Sequence, residues 1–587
     1  EKVEKLLYQL RDEIKVDETL KVNLRQSFEK KRMPLWSKIG LYSVAAAIIL
    51  FSFLLVDVKP KPVDANALKI TNSLSFYNLG SGKITTMTDH NGTLYLSLDK
   101  KGVFIYSANG LKKISDESAD NLSINANGEN LLYSAKGSVV SLDLKTNEKK
   151  VVLNSTSAIH YDHPVWKDNQ TIFVTKNSGN KQEIIEWNLQ TNNEKVVTNG
   201  KNPAYLEKTQ LLVFERNGKI LIKGKDGSEK IADAGIEPDV SKDGHYIAYV
   251  KENNGIDDVW VKDIDLKTNR KVTTNLDSNS YHYFSPVWSS TDRGLYVLKQ
   301  RNESTKQITK IDLGEKELDA KQTVSRFLQA LIVRDDDYAK TMMKTPPEIL
   351  TISNPHQTGY QIVSTGKEKN GVVHVQAEVT WSYTANPYYK ISTYDFELMH
   401  GKNGYVISQV TEIKSKELMP AINTNTVQLI EGDKKETLFS LSDIPVKMLK
   451  DSHIRLSSLA LNPNENKILF TVQEVQDGSN QAAVDLISYD IKSKIFTFID
   501  RIDGNDGHKN IGVSGMSLSG SGNYAALDLF LDEAPYTAYV YVYDLQKEEQ
   551  IKQFKQTHTY FWQDNQLYMQ KIEDDFSNIL QKFDPAE

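Results

Sequence analysis

Cysteine is absent from all 587 residues. That removes disulfides, thiol nucleophiles and thiolate metal sites together. A chain of this length must then be held by its own apolar cores. The lack suits an exported protein of a Gram-positive bacterium better than a eukaryotic ectodomain, where disulfides are common. An excess of either charge is missing too: 71 Lys and Arg stand against 77 Asp and Glu. The resulting net charge of −6 leaves no footprint for nucleic acid. Long hydrophobic runs are missing as well, with one exception at residues 39–56.

That stretch, Ile39–Val56, carries no charge, and Tyr42, Ser43 and Ser52 are its only polar side chains. At helical rise it reaches ~27 Å, enough to span a bilayer core. It begins too far into the sequence for an ordinary signal peptide. Lys30, Lys31, Arg32 and Lys38 precede it, and Asp57 follows it. The positive side belongs in the cytoplasm, so the expectation is a single-pass membrane protein. Its N-terminal head is cytoplasmic and its large C-terminal region extracytoplasmic. In the head, Val3, Leu6, Leu7, Leu10 and Ile14 make one helical stripe, and Leu20, Leu24 and Phe28 a second behind Asp17. Two such short helices cannot bury both stripes alone. Leu6, Leu7, Leu10, Leu20, Leu24 and Phe28 are therefore candidate partner-binding residues. A small helical head, one span and a large exported body resembles the layout of bacterial anti-sigma factors. The resemblance implies a sigma factor as the head's partner. The head has no His or Cys, so the zinc motif of one anti-sigma class is absent.

After a Pro-bearing linker the texture changes to short alternating strands broken by Gly, Asn and Asp. A unit recurs every ~35–50 residues, the period of propeller blades. Clear copies are Pro238-Asp-Val-Ser-Lys-Asp-Gly-His-Tyr-Ile-Ala-Tyr-Val250, Ser285-Pro-Val-Trp-Ser-Ser-Thr-Asp-Arg-Gly-Leu-Tyr-Val-Leu298 and His163-Pro-Val-Trp-Lys-Asp-Asn-Gln-Thr-Ile-Phe-Val174. Weaker copies begin at Leu122, Leu459 and Met516, and charged hairpins such as Val261-Lys-Asp-Ile-Asp-Leu-Lys-Thr-Asn-Arg-Lys-Val272 follow. These motifs resemble the repeat of the TolB-type β-propeller, Pro-x-Trp-Ser-Pro-Asp-Gly and then a strand. The resemblance implies a mainly β, TolB-like propeller with WD-like repeats. About eight blades are expected, within the usual range.

Between Gly314 and Met419 the repeat vanishes. Val324, Phe327, Leu328, Leu331 and Ile332 form a helical stripe, a second helix is expected near Tyr338–Met343, and four alternating strands follow. Helices followed by an antiparallel sheet make an α+β unit. It resembles the cone of the nuclear transport factor 2 superfamily. Three later units are too few to close a second ring. The expected organisation is therefore a head at 1–38, a transmembrane helix at 39–56 and a linker at 57–72. The propeller's first part follows at 73–316, the inserted α+β domain at 317–418 and its second part at 419–587.

The richest ligand-like cluster is His160-Tyr-Asp-His163, expected in a loop near the channel mouth, with His282 at the similar place of another blade. His160, Asp162, His163 and His282 are the candidate ligand-binding residues. Asp335-Asp-Asp337 reads as a solvated turn, and Asp503-Gly-Asn-Asp-Gly507 fails the calcium-loop spacing. No acid, base and nucleophile constellation stands out. The expectation is a binding or sensor protein and not an enzyme, without metal or cofactor. Its extracytoplasmic ligand would be a protein, peptide or glycan. An envelope scaffold with no signalling role is the alternative.

Overall fold

The computed structural model describes residues 64–586, apart from 80–82, 108–109, 266, 276–280, 303–304, 352–354, 385, 422–424, 450–452, 463, 465, 475–482, 504–510, 532–536 and 573–577. The expected head, with Leu6, Leu7, Leu10, Leu20, Leu24 and Phe28, lies outside the described residues, as do the expected span and residues 57–63. Among the described residues no helix is long and apolar enough to cross a membrane.

Short alternating strands have two faces to cover. Here five consecutive four-stranded antiparallel meanders occupy 84–115, 121–153, 159–199, 201–234 and 236–271. A sixth joins His282–Trp288, Gly294–Asn302 and Thr305–Gly314 to Lys69–Leu79, a strand from before the first meander. Every neighbouring pair shares an apolar cluster. Tyr95 and Val103 of the first pack with Leu131 and Tyr133 of the second. Leu132 and Val139 then meet Ile172 and Ile185. Phe173 meets Leu212 and Phe214, and Val213 and Ile220 meet Ile247 and Tyr249. Ala248 and Val261 meet Leu295 and Val297. Leu298 and Ile308 return to Leu94 and Leu96 of the first. The six sheets close a ring. Each buried aliphatic side chain contributes about 1.5–3 kcal/mol, so no sheet is left to stand alone.

The charged hairpins make the outer turns. Asp143 Oδ1 accepts from the N–H groups of Lys145 and Thr146, both at 2.8 Å. Asn188 Oδ1 accepts in the same way from Gln190 and Thr191. Asn147 and Asn192 then take left-handed backbone, φ 59° and 55°. Asp and Asn recur at these places because a short side chain can hold the turn and tolerate that conformation.

Helix α1, Ala320–Ile332, starts at a reciprocal cap: Asp319 accepts from the Gln322 N–H, and Gln322 Oε1 accepts from the Asp319 N–H. Its Val324, Phe327 and Leu328 bury against Val375, Ala377, Val379, Phe396 and Leu398 of the strands Val372–Tyr383 and Asn386–Gly401. The shorter α2 is Asp336–Thr341. Strands His356–Thr365 and Gly404–Pro420 extend the α+β meander, which the hairpin Thr426–Glu431 and Lys434–Ser440 completes. Trp381 and Tyr394 pack against this core, while Tyr389 is buried in a different cluster, with Leu459 and Phe470.

Three further sheets follow, at 454–502, 511–555 and 557–583. Their first strands lie side by side, and they pack on the α+β strands. The third sheet joins the α+β sheet through a parallel pair, Gly359 with Trp562, and joins the ring strand Lys69–Leu79 through Tyr77 with Ile579. The expectation of one eight-bladed propeller interrupted by an insertion is therefore corrected. The ring is complete at six sheets within 69–314. The last three pack against the α+β strands and not against the ring's inner strands. The α+β unit is not inserted between parts of the ring but follows it.

Candidate functional site

The first strands of the six ring sheets surround a channel of about 900 Å³. They run the same way. Near their starts, Thr85 donates to the Ala119 carbonyl and Asn121 Nδ2 donates to Asp162 Oδ1 at 2.7 Å. Near their ends, the Trp166 N–H donates to Ser123 Oγ at 3.4 Å and the Trp288 N–H to Asp239 Oδ2 at 2.7 Å. All strand starts accordingly form one mouth and all strand ends the other.

At the first mouth the chain bulges in four sheets, at His163, Asn202, Glu237 and Ser285, with φ between 47° and 52°. Each of the four precedes a proline. Left-handed backbone costs about 1–2 kcal/mol in such residues, and the bulges are tied down. The Ser285 N–H donates to Glu237 Oε2 at 2.8 Å, and the Asn202 N–H to Thr175 Oγ1 at 3.1 Å. The bulge turns the strand so that the residue after the proline faces the next sheet. That residue is Val165, Ala204, Asp239 or Val287.

Two of the four expected site residues line this channel. Asp162 Oδ1 accepts from Asn121, from Ser134 Oγ and from the His163 N–H, and Oδ2 lies 3.2 Å from His163 Nδ1. Burial works against its charge, but His163 and Ser134 outweigh it and hold the carboxyl well below the usual range. The other two lie outside the channel. His160 is exposed and sits over the turn at Gly137, where an added Cβ would meet its ring. His282 Nδ1 is 3.0 Å from Asp257 Oδ2, and its ring stacks on Phe284. The expected convergence of three histidines is corrected: His160 and His163 are three residues apart on one strand, not in a loop, and point to different places. Asp335 is corrected too. It is no solvated turn residue but 5% exposed, 3.1 Å from Lys299 of the ring. Residues 504–507 of the Asp503 segment lie outside the described residues.

Six carboxylates in the channel were not singled out from the sequence: Asp89, Asp120, Glu237 and Asp239 on or beside the inner strands, and Asp168 and Glu207 beyond the strand ends. Asp239 is half-buried in the channel wall, and burial pushes its carboxyl up to about 6 despite the Trp288 N–H and Lys242. Burial also raises Asp120, helped by the charges of Asp162 and Asp99. Aligning the copies on their prolines would have found Asp239, since the other three have Val165, Ala204 and Val287 there. Among the described residues the one group able to close on a metal is His374, Asp395 and Glu397, on two strands of the α+β sheet.

No protein-family model and no curated protein matches the chain. Several solved structures do. TolB from Acinetobacter baumannii is 16% identical over 42% of this chain and 65% of its own, with a TM-score of 0.29. TolB from Agrobacterium tumefaciens is 16% identical over 32% and 73%, at 0.28. Oligogalacturonate lyase from Vibrio parahaemolyticus is 11% identical over 42% and 92%, at 0.29. What the ring is follows from its own geometry: six meanders in cyclic order about a channel. The ring is a six-bladed β-propeller. Its blades are stitched at the channel wall by side chains of one inner strand accepting from backbone N–H groups of the next. Its closure rests on Lys69–Leu79, which completes the sixth propeller blade.

Proposed function

We propose that this is a membrane-anchored extracytoplasmic binding or sensor protein that takes its ligand in the propeller channel. The observation that carries the reading is the open channel of about 900 Å³, walled by polar and charged groups from all six inner strands. That volume is in the range of ligand pockets, ~300–1,000 Å³. It is a binder and not an enzyme in this reading. Asp162, Glu237 and Asp239 are engaged by backbone N–H groups, which suits fixed recognition. The anchor rests on the uncharged run at 39–56 and its basic N-terminal flank. The α+β unit, with helices on one face of a long meander, fits a cone of the nuclear transport factor 2 type.

In the regulatory form of this reading the head acts like an anti-sigma factor, and a ligand event outside releases its partner. One rigid helix transmits conformational change poorly, so regulated proteolysis is the favoured route. The continuous strand pairing from the ring into the last sheet favours the alternative of a rigid envelope scaffold.

Two measurements test this. The intact chain and a channel-filling Val287→Trp variant are compared for capture of envelope fragments: loss of capture supports the channel as the site, and equal capture overturns it. A crosslinking pull-down on the intact chain then looks for an RNA polymerase sigma subunit. Recovery that disappears when Leu6, Leu10, Leu20 and Leu24 become Ser supports regulation. No recovery leaves the scaffold.

A further inference from the structure

The six inner strands are of one charge. They carry Asp89, Asp162, Glu237 and Asp239, and Asp120 stands immediately before Asn121–Ile124. Their single basic residue apart from histidine is Lys201, paired with Glu215 at 3.1 Å and not in the channel lining. The lining lysines Lys167, Lys208 and Lys242 all lie beyond the strand ends, in turns at the far mouth. Along the inner strands the wall is therefore acidic, with His163 and His90 as its basic neighbours, while at the far mouth Asp168 and Glu207 stand beside the lysines.

A second observation is independent of that count. Asp89 is 3% exposed and lines the channel. Its Oδ2 accepts from both the N–H and the hydroxyl of Ser290, while Oδ1 accepts no hydrogen bond. A buried carboxylate oxygen without a donor is expensive to maintain. The carboxyls of Asp120 and Asp239 are both raised, chiefly by burial, and Asp120 also by the charges of Asp162 and Asp99; His163 and Lys242 oppose these shifts without cancelling them.

The carboxylates also limit the shape of any cation that could bind them. They come from the first, third and fifth blades and from the segment that opens the second. Among the described residues no three of them bring their oxygens within 4.8 Å of one another. A compact divalent ion needs about six oxygens at close range, and this wall cannot close on one. A longer molecule can reach several blades in turn. Resting on the binding-module reading, we propose that the channel takes a ligand with two or more ammonium groups, an oligoamine or a ligand bearing one. Its ammonium groups enter through the mouth of Asp120, Asp162 and Glu237, and one reaches Asp239 and Asp89 near the strand ends. An acid-lined cleft also concentrates such cations before they bind.

The test is calorimetric titration of spermidine into the full chain at low ionic strength, with melting curves to confirm that each variant folds. Saturable binding is expected. Asp120→Asn and Glu237→Gln should each weaken it about fivefold or more, and both with Asp239→Asn about a hundredfold. Glu194→Gln, on an outer strand beside Lys176, should leave it unchanged. The proposal is overturned if spermidine does not saturate, if the acid-to-amide variants bind it like the parent, or if n-butylamine or magnesium binds as tightly. If it is overturned while Val287→Trp still abolishes capture of envelope fragments, the channel remains a binding site for another chemistry. If Val287→Trp also changes nothing, both readings fall.

Discussion

The ring and the three sheets at 454–583 are built from the same meander yet end differently. In the ring, six sheets meet the space between their inner strands with one another alone, and an open channel of about 900 Å³ remains. In the later region three sheets meet the α+β sheet. Tyr389, Ile391 and Leu418 from that sheet enter one cluster with Leu459, Phe470, Leu527 and Tyr543. The remaining cavity there is about 20 Å³, between Tyr360, Tyr389, Leu518 and Trp562. A repeat therefore does not fix whether its centre is a site or a core. What fills the centre decides, and carboxylates on the inner strands keep the ring's centre open.

The sharpest way to break the comparison is at the joint. Lys299 of the ring and Asp335 before α2 are buried together, at 3% and 4% side-chain exposure, and the lysine also lies 4.2 Å from the Tyr281 ring centre. Burial opposes the Lys299 charge, but Asp335 and the tyrosines raise its pKa overall, so the lysine stays charged across the physiological range. Removing one partner strands the other, which costs about 3–5 kcal/mol. Asp335→Ala should lower the denaturation midpoint accordingly and split unfolding into two transitions, one for each region. Asp335→Asn, which can still cap Tyr338, should fall between. A single transition with an unchanged midpoint would show that the regions do not depend on this pair.

The blade motif was legible because it is local. A turn needs Asn, Asp or Gly at fixed places, and Pro238, Pro286 and Pro164 mark the bulged strand in each copy. The α1 stripe and its strands were legible for the same reason, as period and alternation. Ring closure was not. It depends on Lys69–Leu79 pairing with Thr305–Gly314 across more than two hundred residues of chain, and nothing in either strand specifies its distant partner. The step from three later units to a single large ring failed because those units pack against the α+β sheet instead of joining the ring. At the site, Asp162 and His163 were found because they lie beside a motif. His160 and His282 were chosen by residue type, and their side chains are spent on a neighbouring turn and on Asp257.

A second prediction sharpens the ring's side. Asp239 has its folded pKa raised from 3.8 to about 6. The folded state holds the proton more tightly, so the stabilisation is present in acid. It is lost as pH rises from about 4 through about 6. Asp239→Asn keeps an acceptor for the Trp288 N–H and removes the charge. The variant should equal the parent near pH 4 and exceed it by about 1–3 kcal/mol at pH 7, less than full burial would give because the channel brings water to the carboxylate. Denaturant melts at the two pH values measure this. A stability gain together with weaker spermidine binding would mark a carboxylate retained for its ligand.

The smallest effect is expected at the plugged centre. Tyr389 is 1% exposed, and burial raises its hydroxyl pKa well above the usual value, although Thr380 and the Leu518 backbone oppose the shift. The adjoining cavity has room for one water and polar neighbours in Gln361, Thr380 and Ser519. The hydroxyl itself makes no hydrogen bond, so its removal strands no partner. Tyr389→Phe should therefore change stability by about 1 kcal/mol or less, and capture of ligand by the ring not at all. Tyr389→Ala should destabilise by about 3–5 kcal/mol, as for other buried aromatics, because Leu459 and Phe470 lose their neighbour. If Tyr389→Phe instead proves as damaging as Tyr389→Ala, the hydroxyl is a structural anchor and this centre is held by polar bonds. The contrast with the ring would then rest on how each centre is bonded and not on how much water each admits.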